Sequence, residues 1–129
     1  MIEYENLSKS NSSFIKELEI KSKSVLKKGW FILGEELKAF EDEFSKFIGT
    51  KYCIGVASGL DALILSIEAL TLPRNSKILV ASNTYIATIL AIKRAGHIPV
   101  LIEPCLETYN IDPQKIINFI DKETKAICV

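Results

Sequence analysis

The chain has 129 residues, enough for one domain with a sizeable core and short of most two-domain enzymes. Its 16 basic and 16 acidic side chains cancel, so no overall field draws it to nucleic acid or to an anionic membrane, and a small-molecule partner is expected instead. With 48% hydrophobic and 25% charged residues, the composition is that of a folded chain rather than a disordered one.

Phe14, Leu18 and Val25 recur at helical spacing among Lys16, Glu17, Lys21, Lys23, Lys27 and Lys28, which predicts an amphipathic helix with a polar outer face. The lysines read as solvated, because Glu17 and Glu19 interrupt the run that a basic nucleic-acid helix would need. A break follows at residues 29–34. Glu35 and Glu36 then place negative charge on the first turn of a second helix, where the dipole favours it. Leu37, Phe40, Phe44, Phe47 and Ile48 form its apolar stripe, and Gly49 suits a left-handed cap. Residues 1–34 are read as an N-terminal helix and lead-in segment, and 35–129 as the body of the domain.

Beyond Gly49 short apolar runs alternate with helical stretches. Residues 52–57 predict a strand, 61–70 a helix, 77–81 a strand, 85–95 a helix and 98–102 a strand. Asp112 followed by Pro113 predicts an N-cap and first-turn proline, opening a helix through Ile116, Ile117 and Ile120. Residues 125–129 predict a last strand. Strands alternating with helices imply an α/β fold with a mainly parallel sheet and flanking helices. The last residues, Ala126-Ile127-Cys128-Val129, are apolar on both faces like an interior strand, so a truncated portion of a larger domain is expected.

Cys53, Cys105 and Cys128 are odd in number and widely spaced, with no CxxC pair, and are read as buried free thiols in a reducing compartment. His97 is the only histidine, so no zinc site or catalytic triad can use a second one, and no metal is expected. No apolar stretch approaches the roughly 20 residues that span a bilayer, and the N-terminus lacks a cationic start with an apolar run, so a cytoplasmic location is expected.

In a parallel α/β sheet, ligands bind beyond the carboxyl ends of the strands. Two junctions stand out there. At Ser58-Gly59-Leu60-Asp61, a glycine permits close backbone approach, and the following helix offers unpaired amides and a positive dipole end to a phosphate. The same residues also read as a capping box, with Ser58 as N-cap and Asp61 returning a hydrogen bond to the backbone. At Ser82-Asn83-Thr84-Tyr85 an aromatic ring stands at a helix start, either packing or stacking on a planar ligand. No G-x-G-x-x-G or Walker pattern is present.

From Gly29 to the last residue the chain resembles the DegT/StrS family of sugar aminotransferases. Gly29-Trp30-Phe31-Ile32-Leu33-Gly34-Glu35-Glu36 with Phe40-Glu41 resembles the family's opening segment. Ser58-Gly59-Leu60-Asp61-Ala62-Leu63 resembles its small-Gly-Thr-x-Ala-Leu loop, with Leu60 in place of the threonine. Asn83-Thr84-Tyr85-Ile86-Ala87-Thr88 resembles the segment whose aromatic residue stacks on the cofactor. Gly96, Pro99-Val100, Tyr109-Asn110-Ile111-Asp112 and Thr124-Lys125-Ala126-Ile127 continue the match in order.

The resemblance implies the N-terminal part of the large domain of an aspartate aminotransferase-like (type I) enzyme. It implies pyridoxal 5'-phosphate as cofactor, with Ser58, Gly59 and Leu60 at its phosphate and Tyr85 on its ring. It also implies transfer of an amino group from glutamate to a nucleotide-linked keto-deoxysugar. The wording of residues 83–88 and 100–104 is closest to the subgroup that aminates C3 of a dTDP-3-keto-6-deoxyhexose for surface polysaccharide or glycoconjugate synthesis. Trp30 and Phe31 are candidate sugar-nucleotide contacts, though both also read as packing residues. The catalytic lysine is expected beyond Val129, and neither Lys51 nor Lys125 is nominated for it. A homodimer is implied for the full-length family member. In the implied fold, later strands insert between residues 52–57 and the rest, so the other three strands should pair with one another while the first lacks its neighbour. An inactive remnant and a non-catalytic phospholigand-binding module are the alternatives.

Overall fold

A computed structural model describes residues 4–129, and the chain divides after Gly55 into two units. In the first, a short helix α1 (Leu7–Asn11) opens under Asn6, whose side-chain oxygen accepts from the Lys9 amide at 2.9 Å. The helix predicted from Phe14 onward is α2 (Ile15–Lys28), and the second is α3 (Glu35–Ile48). Gly49 closes α3 at φ 79, with its N–H on the Ser45 carbonyl at 2.9 Å, as the left-handed cap requires. The Phe40 and Phe44 rings stack at 5.4 Å, yet much of the α3 stripe stays exposed, Phe47 at 83%. Lys28 reaches Glu36 at 3.0 Å and Glu35 at 3.5 Å, tying the end of α2 to the start of α3. That contact raises the Lys28 pKa and lowers that of Glu36, chiefly through their hydrogen bond.

The strand expected at residues 52–57 does not form: no ladder among the described residues includes it. Apolar patterning reports that a segment can be extended, but a strand also needs a neighbour to take its backbone groups. Here the Gly55 N–H donates instead to the Glu41 carboxylate at 2.7 Å.

In the second unit the order is α4 (Gly59–Ala69), β1 (Lys77–Ala81), α5 (Ile86–Arg94), β2 (Ile98–Ile102), α6 (Pro113–Ile116), a 3-10 turn (Ile117–Phe119) and β3 (Thr124–Cys128). The helix opened by Asp112 is thus shorter than expected, tightening to 3-10 after Ile116; Asp112 does cap it, accepting from the Gln114 amide at 2.9 Å. The three strands form a parallel sheet in the order β2-β1-β3. These three strands pair with one another, as expected.

β1 is apolar on both faces and is buried on both. Ile78 and Val80 pack with Ile67 of α4 and with Ala91 and Ile92 of α5, so both helices cover one face, while Leu79 is fully buried on the other. Between β1 and β3 the register jumps. Lys77 pairs with Thr124 but Ile78 with Ala126, leaving Lys125 as the extra residue of a bulge. Beside the bulge, Lys77 binds Asp121 at 2.6 Å and Glu123 at 2.9 Å. The Lys77 hydrogen bond, seconded by the Glu123 amide, holds the Asp121 carboxyl down at about 2. The three cysteines are free but half-buried rather than buried; the Cys105 thiol donates to Glu107 at 2.7 Å and lowers that carboxyl's pKa.

Candidate cofactor edge

Both sequence-nominated junctions of the second unit are helix starts. α5 leaves the carboxyl end of β1, and α4 leads through residues 70–76 to the amino end of the same strand, so both helices run against the strands on one face of the sheet. Their N-termini therefore point toward the carboxyl edge, where parallel α/β sheets bind ligands.

At the first junction Ser58 is the N-cap of α4, with extended backbone at φ −157 and ψ 163. Its hydroxyl accepts from the Asp61 amide at 3.2 Å and donates to the Asp61 carboxylate at 2.8 Å. The expected capping box is thus half formed, because Asp61 returns to the serine hydroxyl and not to the backbone. Ala62 N–H reaches the Ser58 carbonyl at 3.0 Å. The amides of Gly59 and Leu60, at the first two positions of the helix, have no intrahelical acceptor and carry the positive end of the helix dipole. A Cβ built on Gly59 meets nothing within 4 Å, so the chain's own packing makes no demand for glycine there. That open approach to two free amides fits a phosphate group. Leu60 turns its side chain against the core cluster, so it offers the backbone N–H alone. An apolar cavity of about 300 Å³, lined by Val56, Ala57, Asp61, Ile64 and Leu65, lies beside the turn.

The second junction is fixed by its backbone. Thr84 N–H bonds the Ala81 carbonyl at 3.2 Å, Ser82 N–H the Ile102 carbonyl at 2.8 Å, and Asn83 Nδ2 donates to the Tyr109 carbonyl at 2.9 Å. Tyr85 caps α5 with backbone at φ −62 and ψ 138, and its ring is 79% exposed. The side chain thus stands open at the start of the helix. Tyr109 itself sits at φ 58, an uncommon conformation for a non-glycine residue. Its N–H bonds the Cys105 carbonyl at 2.8 Å, and Cys105 N–H bonds the Asn110 carbonyl at 2.9 Å. A cavity of about 300 Å³ opens between the ends of β1 and β3 and this loop, lined by Ala81, Asn83, Thr84, Tyr109, Asn110, Ile111 and Val129. The role of Asn83 and the strain at Tyr109 are absent from the sequence reading, since a bond spanning 26 positions leaves no periodic signal.

Trp30 and Phe31 lie in the first unit, on the turn between α2 and α3. Phe31 is 65% exposed, while the Trp30 indole N–H is committed to the Ile32 carbonyl at 2.8 Å. Lys77 is gripped at the amino end of β1, Lys125 donates to the Lys122 carbonyl, and Lys51 lies over the Tyr52 ring at 5.1 Å. No helix among the described residues is long and apolar enough to cross a membrane.

Over residues 13–129 the sequence matches the DegT/DnrJ/EryC1/StrS aminotransferase family. It is 50% identical, along its whole length, to 36% of dTDP-3-amino-3,6-dideoxy-alpha-D-galactopyranose transaminase of Aneurinibacillus thermoaerophilus. Among solved structures it is similar to DesV of Streptomyces venezuelae, with TM-score 0.87 and 34% identity over 95% of this chain and 33% of that one. It is also similar to NtdA of Bacillus subtilis, solved with bound cofactor PMP, with TM-score 0.84 and 30% identity over 89% of this chain and 26% of that one. The chain thus spans about a third of the length of the relatives it matches.

Proposed function

Because the chain belongs to the DegT/DnrJ/EryC1/StrS aminotransferase family, we propose that it forms the phosphate- and ring-binding edge of an enzyme that aminates a nucleotide-linked keto-deoxysugar. Its fold is the N-terminal part of the pyridoxal-phosphate-dependent aminotransferase large domain, and its cofactor is pyridoxal phosphate. The observation that carries the reading is the pair of helix starts on one sheet edge, one with an open glycine and two free amides, the other with an exposed ring.

In this reading the amides of Gly59 and Leu60, with Ser58 shaping the turn, hold the phosphate, and Tyr85 covers one face of the pyridine ring. When bound, the cofactor supplies an electron sink and an amine carrier. Trp30 and Phe31 belong to the substrate side, so residues 1–34 form the substrate-facing lead-in and 35–129 the cofactor-binding portion. The substrate is a dTDP-linked 3-keto-6-deoxyhexose and the amino donor glutamate; the dTDP-sugar relative supports the former. The product is a deoxyaminosugar for surface polysaccharide or glycoconjugate, made in the cytoplasm by a homodimer. In this reading the lysine that holds the cofactor covalently lies beyond Val129. Borohydride reduction in the presence of pyridoxal phosphate, followed by peptide mapping, tests this. Scattered, substoichiometric labelling is expected, and one stoichiometrically labelled lysine within residues 1–129 would sink it.

A further inference from the structure

Trp30 and Phe31 are neighbours in sequence, but the turn that holds them treats them differently. The Trp30 indole N–H donates to the Ile32 carbonyl two residues on, at 2.8 Å, which closes a ring through the turn itself. The indole also lies over Gly34: a Cβ built there would stand 3.4 Å from its Cγ, 3.5 Å from its Cδ1 and 3.1 Å from the Trp30 carbonyl oxygen. Leu33, between them, is held at φ 51, a conformation that leucine rarely adopts unless its surroundings impose it. On either side, Lys28 is bonded to Glu36 and Glu35, so the two ends of the turn are joined as well. Both side chains are exposed, Trp30 at 60% and Phe31 at 65%, but Phe31 takes part in none of these bonds.

We infer that Trp30 is a positioning residue that locks the turn between α2 and α3, and that Phe31 is the side chain which that lock presents to the sugar nucleotide. The inference rests on the substrate-side reading of this segment, and it divides the two residues. An indole N–H already bonded to its own turn is not offered to a ligand, whereas an exposed phenyl ring on a rigid turn loses little freedom when it meets an apolar ring or sugar face. Gly34 is the third element of the lock, because a Cβ there would press on the Trp30 carbonyl oxygen at 3.1 Å and the turn would have to give.

Two measurements test it, one on the lock and one on its use. The chain carries a single tryptophan, so its indole N–H can be followed directly by hydrogen exchange. In the native chain that N–H should exchange several-fold more slowly than a free indole, and Gly34→Ala should remove the protection. Unprotected exchange in the native chain would overturn the lock. In the intact enzyme, Phe31→Ala should raise KM for the keto-sugar nucleotide about tenfold, and Trp30→Phe, which keeps a ring but loses the N–H, should raise it about threefold. Added to Phe31→Ala, the Trp30→Phe change should cost almost nothing further, because it acts through the residue already removed. Full additivity would overturn the positioning role. If Phe31→Ala leaves KM unchanged while the indole is protected, the lock stands and the substrate-side reading of the turn fails.

Discussion

Replacing Gly59 by alanine should move stability and cofactor affinity in opposite directions. Gly59 is the first residue of α4, its φ lies outside the left-handed region, and a Cβ there meets nothing within 4 Å. Alanine is therefore accommodated without strain, and it removes freedom from the unfolded chain, which should stabilise the fold by about 0.4–1 kcal/mol. In the proposed placement the same methyl group would crowd a phosphate held by the Gly59 and Leu60 amides. Losing one hydrogen bond to a charged oxygen is worth about 1.5–3 kcal/mol. Pyridoxal phosphate should then bind about 10- to 100-fold more weakly. Urea denaturation reports the first quantity and fluorescence titration of the intact enzyme with pyridoxal phosphate the second. A variant that is more stable and binds the cofactor as tightly as the native protein would refute the placement of the phosphate at this turn. A destabilised variant would refute the claim that the space is open.

Tyr85→Ala removes a ring that is 79% exposed, so stability should change by less than about 0.5 kcal/mol. Cofactor affinity should fall about tenfold, the upper end of an aromatic stacking contribution, as the same titration would show. Asn83→Ala leaves the Tyr109 carbonyl without its 2.9 Å donor and should destabilise by about 1 kcal/mol in thermal denaturation. Much of that loss should disappear in a Tyr109→Gly background, where the turn at φ 58 carries no strain to restrain. The Asp121 carboxyl is lowered in the folded state from 3.8 to about 2, so its contribution is complete above the unfolded value and is lost as pH falls from 3.8 toward 2. Asp121→Asn should flatten that part of a Tm profile measured against pH; an unchanged slope would show that Lys77 holds the carboxylate only weakly.

The alternation of elements was legible because each had a local cause: the dipole-matched start of α3, the glycine that ends it, the aspartate and proline that open α6. The apolar run of residues 52–57 predicts a strand, and the lack of a neighbour expected for it is what leaves the run without a ladder. The short helix α1 went unpredicted, since only Asn6 and one turn announce it. The positions of Ser58 and Tyr85 at helix starts could be named because capping leaves local marks. The half-made capping box, the long-range bond from Asn83 and the indole that closes on its own turn depend on rotamers and on distant backbone, which no spacing encodes.

The extra residue in β3 has a consequence for parity. Strand side chains alternate between faces, so counting from Thr124 opposite Lys77 without the bulge would set Lys125 opposite Ile78 and Ile127 opposite Val80. The helix-covered face would then receive a lysine and a bulky isoleucine. With Lys125 spilled out of the count, Ala126 and Cys128 take those places, and two small side chains meet the packed surfaces of α4 and α5. One surplus residue thus acts as a frame correction: the chain reads one frame before it and the other after. The grip of Lys77 on Asp121 and Glu123 sits where the frame changes, at the amino edge of the sheet.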